Sequence, residues 1–299
     1  MTLPATTVSQ RRRHRALPSL LAISYALAAL PPGRVWAQTG PDAAPATVDR
    51  QVDRIDRGHS ALWVGNSYFY SNNSMHSHVE ALHRSGGGGG TGGGGYRAIS
   101  ATISGAGIDW HDLRSYLRPG GLGTFRFTEN NQVVVEPAGR RFDSVLLMDC
   151  SQCATHPVLG PGFVDRMARQ VELVRAHGAE PLLFMSWAYQ DRPEMSAALE
   201  TAYVEAGRRL DARVIPAGVA FARALSQRPD IRLHQPDLRH PTMRGTYLAA
   251  CTVYAATTGR SPVGNPYTAG IDPEIARFLQ SMAWATVQEF QGRPPTPSR

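Results

Sequence analysis

The stretch ALWVGNSYFYSNNS, residues 61–74, says most about the fold of this chain. An apolar run with β-strand composition meets Gly-Asn-Ser, and aromatic residues, asparagines and a helical pattern follow. A strand that ends in a small-residue turn and leads into a helix places the turn at the carboxyl edge of a sheet, where open α/β folds hold their chemistry. Ser67 is therefore the first candidate for a functional side chain.

Apolar β runs and helical periods alternate along the rest of the chain. The candidate strands are residues 61–64, 98–103, 144–148, 181–186 and 213–215. Two sets of apolar residues between the later strands have helical spacing: Phe163, Met167, Val171 and Val174, then Met195, Leu199, Tyr203 and Leu210. Gly178 is placed to end the first of these helices. The alternation predicts an α/β protein with a mostly parallel sheet, a three-layer α/β/α sandwich of flavodoxin-like type.

Two segments interrupt this alternation. The glycine-rich residues 86–95 have no side chains to bury, which predicts a mobile loop between the first helix and the second strand. They lack the spacing and the strand-before-helix order of a phosphate-binding loop. Residues 123–139 contain alternating Phe125 and Phe127, an Asn-Asn turn, then Val133 and Val135, which predicts an inserted hairpin. That hairpin is either a wall of the functional site or a structural flap.

The first residues of the chain predict export. RRRHR at 11–15 precedes an apolar stretch at 16–30 that is too short to span a bilayer comfortably, and Val-Trp-Ala at 35–37 forms a small-x-small cleavage site. We expect a signal peptide at 1–37, a linker at 38–58, one domain at 59–292 and a tail at 293–299. The mature chain is expected in the periplasm or outside the cell, without a transmembrane span.

Charge and composition exclude several classes of function. The formal net charge is +7, from 31 basic and 24 acidic residues, but the signal segment holds five arginines and no acid, so the mature chain has +2. This small excess argues against nucleic-acid binding. All the basic residues are arginine, which excludes a Schiff base, a Ser-Lys dyad or a phosphate-loop lysine. No cofactor is predicted.

A nucleophilic serine needs a base that takes its proton and an acid that orients the base. The stretch PDLRHPTMRGTYLAA, residues 236–250, offers one compact pair, Asp237 and His240, just before a helix that starts near Thr242. Within a single turn the carboxylate can reach Nδ1 of the imidazole. Nε2 is then free to face Ser67.

The residues that carry this chemistry also resemble a known family. VGNSYFYSNN at 64–73 looks like the first block of the SGNH (GDSL-type) hydrolases, in the branch where GDS has become GNS, and residues 237–259 resemble their closing D-x-x-H block. TISGAGIDWH and FDSVLLMDCSQ are similar to the second and third blocks, so that the resemblance spans residues 60–262. It implies Ser67 as the nucleophile, His240 as the base and Asp237 as its orienting acid.

The resemblance also implies an oxyanion hole built from backbone amides. The N–H groups of Ser67 and Gly105 would face the developing negative charge. Gly105 is preferred to Gly107 because it lies six residues before His111, where the family's glycine usually falls relative to a histidine. Asp109 and His111 belong either to the rim of the site or to the structural framework, and the structural reading is favoured.

The third block departs from the family pattern. Many members place an asparagine or glutamine donor there, whereas this chain has Met-Asp-Cys-Ser-Gln at 148–152. Ser151 or Gln152 substitutes as the third oxyanion donor, or Asn66 helps, or the hole has only two amides. Loss of one such donor can cost about a hundredfold or more in turnover.

Three cysteines allow two kinds of site. In CSQCATH, Cys150 and Cys153 could form a local disulfide, which an oxidising compartment favours. Together with His156 and Cys251 they could instead bind zinc. We predict, however, that the protein has no metal site. Cys251 lies in a helical stretch rich in small and apolar residues and is predicted to be buried.

The sequence therefore predicts an exported serine hydrolase that cleaves carboxylic esters through an acyl-enzyme. The resemblance implies short acyl groups, such as acetyl, on a small-molecule or glycan ester. An alternative is a catalytically silent protein of the same fold that binds carbohydrate or belongs to the cell envelope. The altered third block favours this alternative, and the candidate triad opposes it. A lipid-acting hydrolase is a third reading.

Overall fold

The computed structural model describes residues 59–86, 95–118, 121–122, 125–135 and 142–292. The predicted signal peptide, linker and tail, and residues 87–94 of the glycine-rich run, lie outside the described residues. Among the helices that are described, none combines the length and the apolar character needed to cross a bilayer.

A five-stranded parallel sheet forms the centre of the domain. The strands of the chain are β1 (Ser60–Gly65), β2 (Arg97–Thr102), β3 (Phe125–Phe127), β4 (Val133–Val135), β5 (Ser144–Leu147), β6 (Glu180–Phe184) and β7 (Arg213–Ile215). The sheet order is β2-β1-β5-β6-β7, and every pairing in it is parallel. This order is the flavodoxin-like one, with its switch point between β1 and β5. The predicted fold class is confirmed.

Helices cover both faces of this sheet. They are α1 (Ser67–Tyr70), α2 (Met75–Ser85), α3 (Leu113–Leu117), α4 (Phe163–Ala176), α5 (Met195–Leu210), α6 (Ala217–Gln227), α7 (Met243–Thr258) and α8 (Pro273–Phe290). Alternate residues of β1 serve different cores: Trp63 packs with α1, α2, α6, α7 and α8, while Leu62 packs with α3, α4 and α5. The period of two in a strand thus produces the three layers.

The predicted helical faces are buried as their spacing indicates. Phe163, Met167, Val171 and Val174 are all at most 1% exposed on α4. Gly178 follows the end of this helix with φ +73°, in the left-handed region where glycine is favoured. On α5, Leu210 is only half-buried, unlike the other three residues of its predicted face.

The inserted hairpin is also present. Strands β3 and β4 are antiparallel, with Phe127 opposite Val133, and Asn131 in the turn has φ +59°. The side chains of Phe127 and Val133 are exposed. Its role as a wall of the functional site stays a prediction.

Candidate active site

The GNS turn fixes Ser67 at the end of the central strand β1. A Cβ on Gly65 would lie 2.7 Å from Met148 Cε and 2.9 Å from the Phe69 ring, so a larger residue where the strand ends would displace these side chains. Asn66 caps α1, because its Oδ1 accepts a hydrogen bond from the N–H of Tyr68 at 3.2 Å. Ser67 is consequently the first residue of a helix at the carboxyl edge of the sheet.

The turn before α7 brings the base to this serine. Nε2 of His240 lies 2.8 Å from Oγ of Ser67. On the other side of the ring, Nδ1 of His240 makes a close contact with Oδ2 of Asp237. The N–H of His240 also donates to Oδ1 of Asp237, at 3.0 Å. The predicted acid, base and serine therefore lie together, and we call Ser67, His240 and Asp237 the candidate triad.

Hydrogen bonds to its carboxylate keep Asp237 ionised. Partial burial alone would raise the pKa of Asp237, but the bonds from His240 Nδ1 and from the backbone N–H groups of Arg239 and His240 outweigh it and hold the pKa below its ordinary value. An ionised carboxylate accepts a hydrogen bond from Nδ1–H, which leaves Nε2 as the acceptor for the Ser67 hydroxyl. The side chains of His240 and Asp237 are 36% and 45% exposed, so a ligand can reach them.

A stack of aromatic side chains packs against the His240 ring. Tyr68 lies edge-on to the ring of His240, with centroids 5.4 Å apart, and stacks on Trp187 at 4.6 Å. Trp187 stacks in turn on Phe221 at 4.2 Å, and its Nε1 donates to the carbonyl of Arg239 at 3.0 Å. This packing fixes the loop that carries His240.

The candidate oxyanion residue Gly105 lies in a tight turn. The N–H of Ala106 donates to the carbonyl of Ile103 at 3.2 Å, and Gly105 has φ +69°, as the third position of a type II turn requires. The turn is tied to the nucleophile loop, because Nδ2 of Asn66 donates to the carbonyl of Ala106 at 3.0 Å. Gly107, the rival glycine, is buried.

Three side chains were candidates for the third oxyanion donor. Asn66 uses its amide hydrogens on two backbone carbonyls, those of Ala106 and Asp149, and is thereby committed to the framework. Oε1 of Gln152 accepts from Arg192 at 3.2 Å. Oγ of Ser151 lies 2.8 Å from Oη of Tyr189, in a pair where either oxygen can be the donor.

Comparison with known proteins reveals a likeness of fold. No protein-family model matches the chain, and no curated protein does. A solved DUF4886 family protein from Bacteroides uniformis is 18% identical, with TM-score 0.55, over 78% of this chain and 96% of that protein. The chain therefore shares the three-layer α/β/α fold of this solved protein.

Other solved structures match with TM-scores below 0.5. A protein from Slackia heliotrinireducens, proposed to be an SGNH hydrolase, is 18% identical with TM-score 0.46, over 68% of this chain and 100% of that one. An acetylxylan esterase from Geobacillus stearothermophilus, solved as a catalytic mutant, is 13% identical with TM-score 0.49, over 69% of this chain and 96% of that one. At these identities the likeness is one of fold.

Within this fold, a buried carboxylate that sequence analysis did not single out organises the site. Asp149 is 0% exposed, and its Oδ1 accepts from the N–H groups of Ile108 and Cys150, both at 2.9 Å. Its Oδ2 pairs with Arg166 of α4 at 3.2 Å. Asp149 thus joins the loop after β2 to the loop after β5. The position of Asp149, directly after the predicted strand at 144–148, could have marked it as a site residue. No feature of the sequence near Arg166 indicated its pairing with Asp149.

The remaining candidates belong to the framework. Nε2 of His111 lies 2.9 Å from the carbonyl of Gly65, and burial lowers the pKa of His111, so the ring is neutral and donates there. Cys150 and Cys153 form a disulfide, which removes both thiolates from the zinc alternative. Cys251 is buried as predicted. No His, Cys, Asp and Glu cluster suited to a metal ion occurs among the residues the structure describes.

Proposed function

We propose that this protein is a serine ester hydrolase that works through an acyl-enzyme. The observation that carries the proposal is the 2.8 Å contact between Ser67 Oγ and His240 Nε2, with the Asp237 carboxylate against the other ring nitrogen. A serine placed between a base and backbone amides, with an acid behind the base, is the arrangement that acyl transfer needs.

The reaction has two matched halves. Ser67 Oγ attacks the ester carbonyl while its proton passes to Nε2 of His240, and the same proton then goes to the leaving alcohol as the tetrahedral intermediate collapses. In the second half, water loses a proton to Nε2 and attacks the acyl carbonyl. Collapse returns the proton to Ser67 and releases the acid. Asp237 holds the ring in its tautomer and stabilises the imidazolium that forms in each half.

The oxyanion in this proposal is stabilised by three donors. The N–H groups of Ser67 and Gly105 supply two, and the Ser151 hydroxyl supplies the third. A hydroxyl can accept one hydrogen bond and donate another. When Tyr189 Oη donates to Ser151 Oγ, the proton of Ser151 is therefore available to the substrate oxygen.

The proposed substrate is a short-acyl ester, such as an acetyl ester, of a carbohydrate. Two exposed aromatic side chains at the carboxyl edge support it. Tyr70, at the end of α1, is 41% exposed, and Trp110, in the loop after β2, is 65% exposed. Flat aromatic rings that are open to solvent can pack against the apolar face of a sugar ring. Aromatic side chains without such a role usually lie in the interior of a domain.

Export is also part of the proposal. The basic and apolar segments at 11–30 support a cleaved signal, and the Cys150–Cys153 disulfide suits an oxidising compartment. Mass spectrometry of the exported protein should show a chain that begins at Gln38. An intact first segment on a membrane-retained protein would contradict this part.

A fluorophosphonate probe tests the hydrolase proposal directly. The probe reacts with a serine only where a base activates it, so peptide mapping should find the label on Ser67. The Ser67→Ala protein should stay unlabelled. Labelling of another serine would refute the assignment, and absence of both labelling and turnover in the unmutated protein would favour the silent, carbohydrate-binding alternative.

A further inference from the structure

Two arginines gather around one tyrosine beside the candidate triad. The guanidinium carbons of Arg192 and Arg239 each lie 4.8 Å from the centroid of the Tyr189 ring. A cation over the face of an aromatic ring is attracted by the ring's negative face, most strongly where water is excluded. Tyr189 is only 5% exposed, whereas Arg192 and Arg239 are both exposed, so two solvent-accessible positive charges share one buried ring.

Both arginines are held in place by the framework. Arg239 directly precedes His240, and its carbonyl accepts from Nε1 of Trp187 at 3.0 Å. Nη2 of Arg192 donates to Oε1 of Gln152 at 3.2 Å, in the loop that follows β5. The backbone of Arg239 and the side chain of Arg192 are thus positioned before any ligand arrives, which reduces the entropy cost of binding.

The arginine pair lies close to the reacting groups. Tyr189 Oη contacts Ser151, and Tyr68, the residue after the nucleophile, lies against His240. The Tyr189 ring that both arginines contact is therefore one hydrogen bond away from Ser151, the proposed third oxyanion donor.

Their charges also have no carboxylate partner within the described ion pairs. Other arginines do pair with acids in this domain: Arg166, Arg208, Arg213, Arg223 and Arg228. The described contact of Arg192 is with a neutral amide, and the nearby Asp237 is engaged with His240. Two like charges held together without an acid leave a place for an anion from solution.

We propose that Arg192 and Arg239 select esters that carry a carboxylate near the scissile bond, as in an acylated acidic sugar. The proposal rests on the hydrolase function above and adds the class of substrate. A guanidinium presents paired N–H donors that match the two oxygens of a carboxylate. A bound carboxylate would neutralise charges that have no ion-pair partner among the residues that the structure describes.

Two acetate esters that differ only in a carboxylate test this selection. We would compare kcat/KM for a monoacetylated methyl glucuronoside and the corresponding methyl glucoside at low salt. The unmutated protein should prefer the glucuronoside by about tenfold or more, since hydrogen bonds to charged groups are stronger than neutral ones. Arg192→Gln and Arg239→Gln should each remove most of this preference, mainly through KM. Added salt should weaken it as well.

A matched control separates charge selection from general damage. Arg228 also lies over an aromatic ring, that of Phe278 at 5.6 Å, but it is paired with Asp230. The Arg228→Gln protein should keep the full preference for the glucuronoside. Loss of the preference in this control as well would overturn the assignment to Arg192 and Arg239.

The remaining outcomes distinguish the two proposals. Equal kcat/KM for both esters would overturn the arginine proposal and leave the hydrolase standing. If neither ester turns over and no serine is labelled, the hydrolase proposal fails. Calorimetric titration of the Ser67→Ala protein with both esters measures selection without turnover, and equal binding of the two would overturn the arginine proposal independently.

Discussion

Two serine-histidine-aspartate groups lie at opposite ends of β1, and only one has the form of an active site. The candidate triad follows the end of the strand. The second group, which we call the amino-edge group, gathers where the strand begins and consists of Ser144, His59 and Asp143. The serine oxygen lies 2.8 Å from a histidine Nε2 in both groups. That contact therefore cannot distinguish them.

The two groups differ in what the acid does. In the candidate triad, Asp237 contacts Nδ1 of the histidine and orients the ring. In the amino-edge group, Oδ2 of Asp143 is 3.9 Å from Nδ1 of His59 and accepts instead from the N–H and the hydroxyl of Ser60, at 2.9 and 3.0 Å. Nδ1 of His59 has no hydrogen-bond partner in the described part of the chain.

They differ in access as well. Ser144 is 1% exposed and lies within the strand β5, whereas Ser67 is half-buried at the first position of a helix. A strand residue has its N–H in the sheet, but the first N–H of a helix is free to face a ligand. Access, an oriented base and a free amide turn a serine-histidine contact into a catalytic arrangement.

The largest expected effect separates the two serines. Ser67→Ala and His240→Ala should each reduce kcat for a short acyl ester by about 10⁴-fold to 10⁶-fold, and the double variant should be little worse, because the residues act as a unit. Ser144→Ala should keep the activity of the unmutated protein. Rates with a chromogenic acetate ester check this. Undiminished hydrolysis by the Ser67→Ala protein, free of contaminating esterases, would show that Ser67 is not the nucleophile.

Replacement of the aspartate in each group should have the next largest effect. Asp237→Ala should reduce kcat by roughly 10⁴-fold, the lower end of the range expected for loss of the serine, because the acid orients the base without receiving its proton. Asp143→Ala should change kcat less than twofold, a rough figure for a group that contacts only the framework. Parallel kinetics of the two variants measure the difference. Similar losses in both would show that the amino-edge group also serves the reaction.

Ion pairs at the two edges should differ in their contribution to stability. Arg166→Met would leave the buried Asp149 carboxylate uncompensated and should lower the free energy of unfolding by about 3 kcal/mol. At the amino edge, Glu180 pairs with Arg213 while 44% exposed, so Glu180→Gln should cost less than about 1 kcal/mol. Urea unfolding measures both. Equal losses would contradict the view that Asp149 is the buried charge on which the site is built.

The smallest expected effect concerns pH at the amino edge. His83 stacks on Tyr96 at 4.6 Å, and burial lowers the pKa of His83 to about 4. The unfolded chain takes up this proton near its ordinary pKa of about 6.5, so stability is complete above that pH and falls as the pH drops from 6.5 to about 4. In the His83→Phe protein, the fall in Tm between pH 6.5 and pH 4 should be smaller by roughly a few degrees, the size expected for one titrating group.

An exposed histidine supplies the control for this pH effect. His177 lies on the surface after α4, so the His177→Gln protein should have the same Tm profile between pH 7 and pH 4 as the unmutated protein. Identical Tm profiles for the His83→Phe protein and the unmutated protein would show that His83 does not cause the loss of stability at low pH.

The sequence predicted the layers of the fold because each strand and helix shows its buried face in its own spacing. The five predicted strands lie within two residues of those observed, and residues 213–215 match at both ends. The acid and base of the candidate triad were predictable for the same reason, since Asp237 and His240 share one turn. That Ser67 faces this pair was predicted from the chemistry a nucleophilic serine needs, and the family resemblance pointed to the same three residues.

Contacts between distant segments had no local signal. His59 and Ser144 are 85 residues apart, and nothing near either one indicates the other. Arg166 reaches Asp149 only because α4 packs across that end of the sheet. The gathering of Arg192 and Arg239 at Tyr189 depends likewise on how two loops meet. Such pairings follow from the packing of whole elements, which spacing within one element does not specify.

The serine and the base of the candidate triad are 173 residues apart, which links activity to the order of chain synthesis. A ribosome makes β1 and the nucleophile turn early, but the base follows only after all five sheet strands have emerged. A growing or truncated chain that ends before Asp237 can present Ser67 with no partner to activate it. Under the proposed function, ester hydrolysis begins only after Asp237 and His240 have been synthesised and have folded against Ser67.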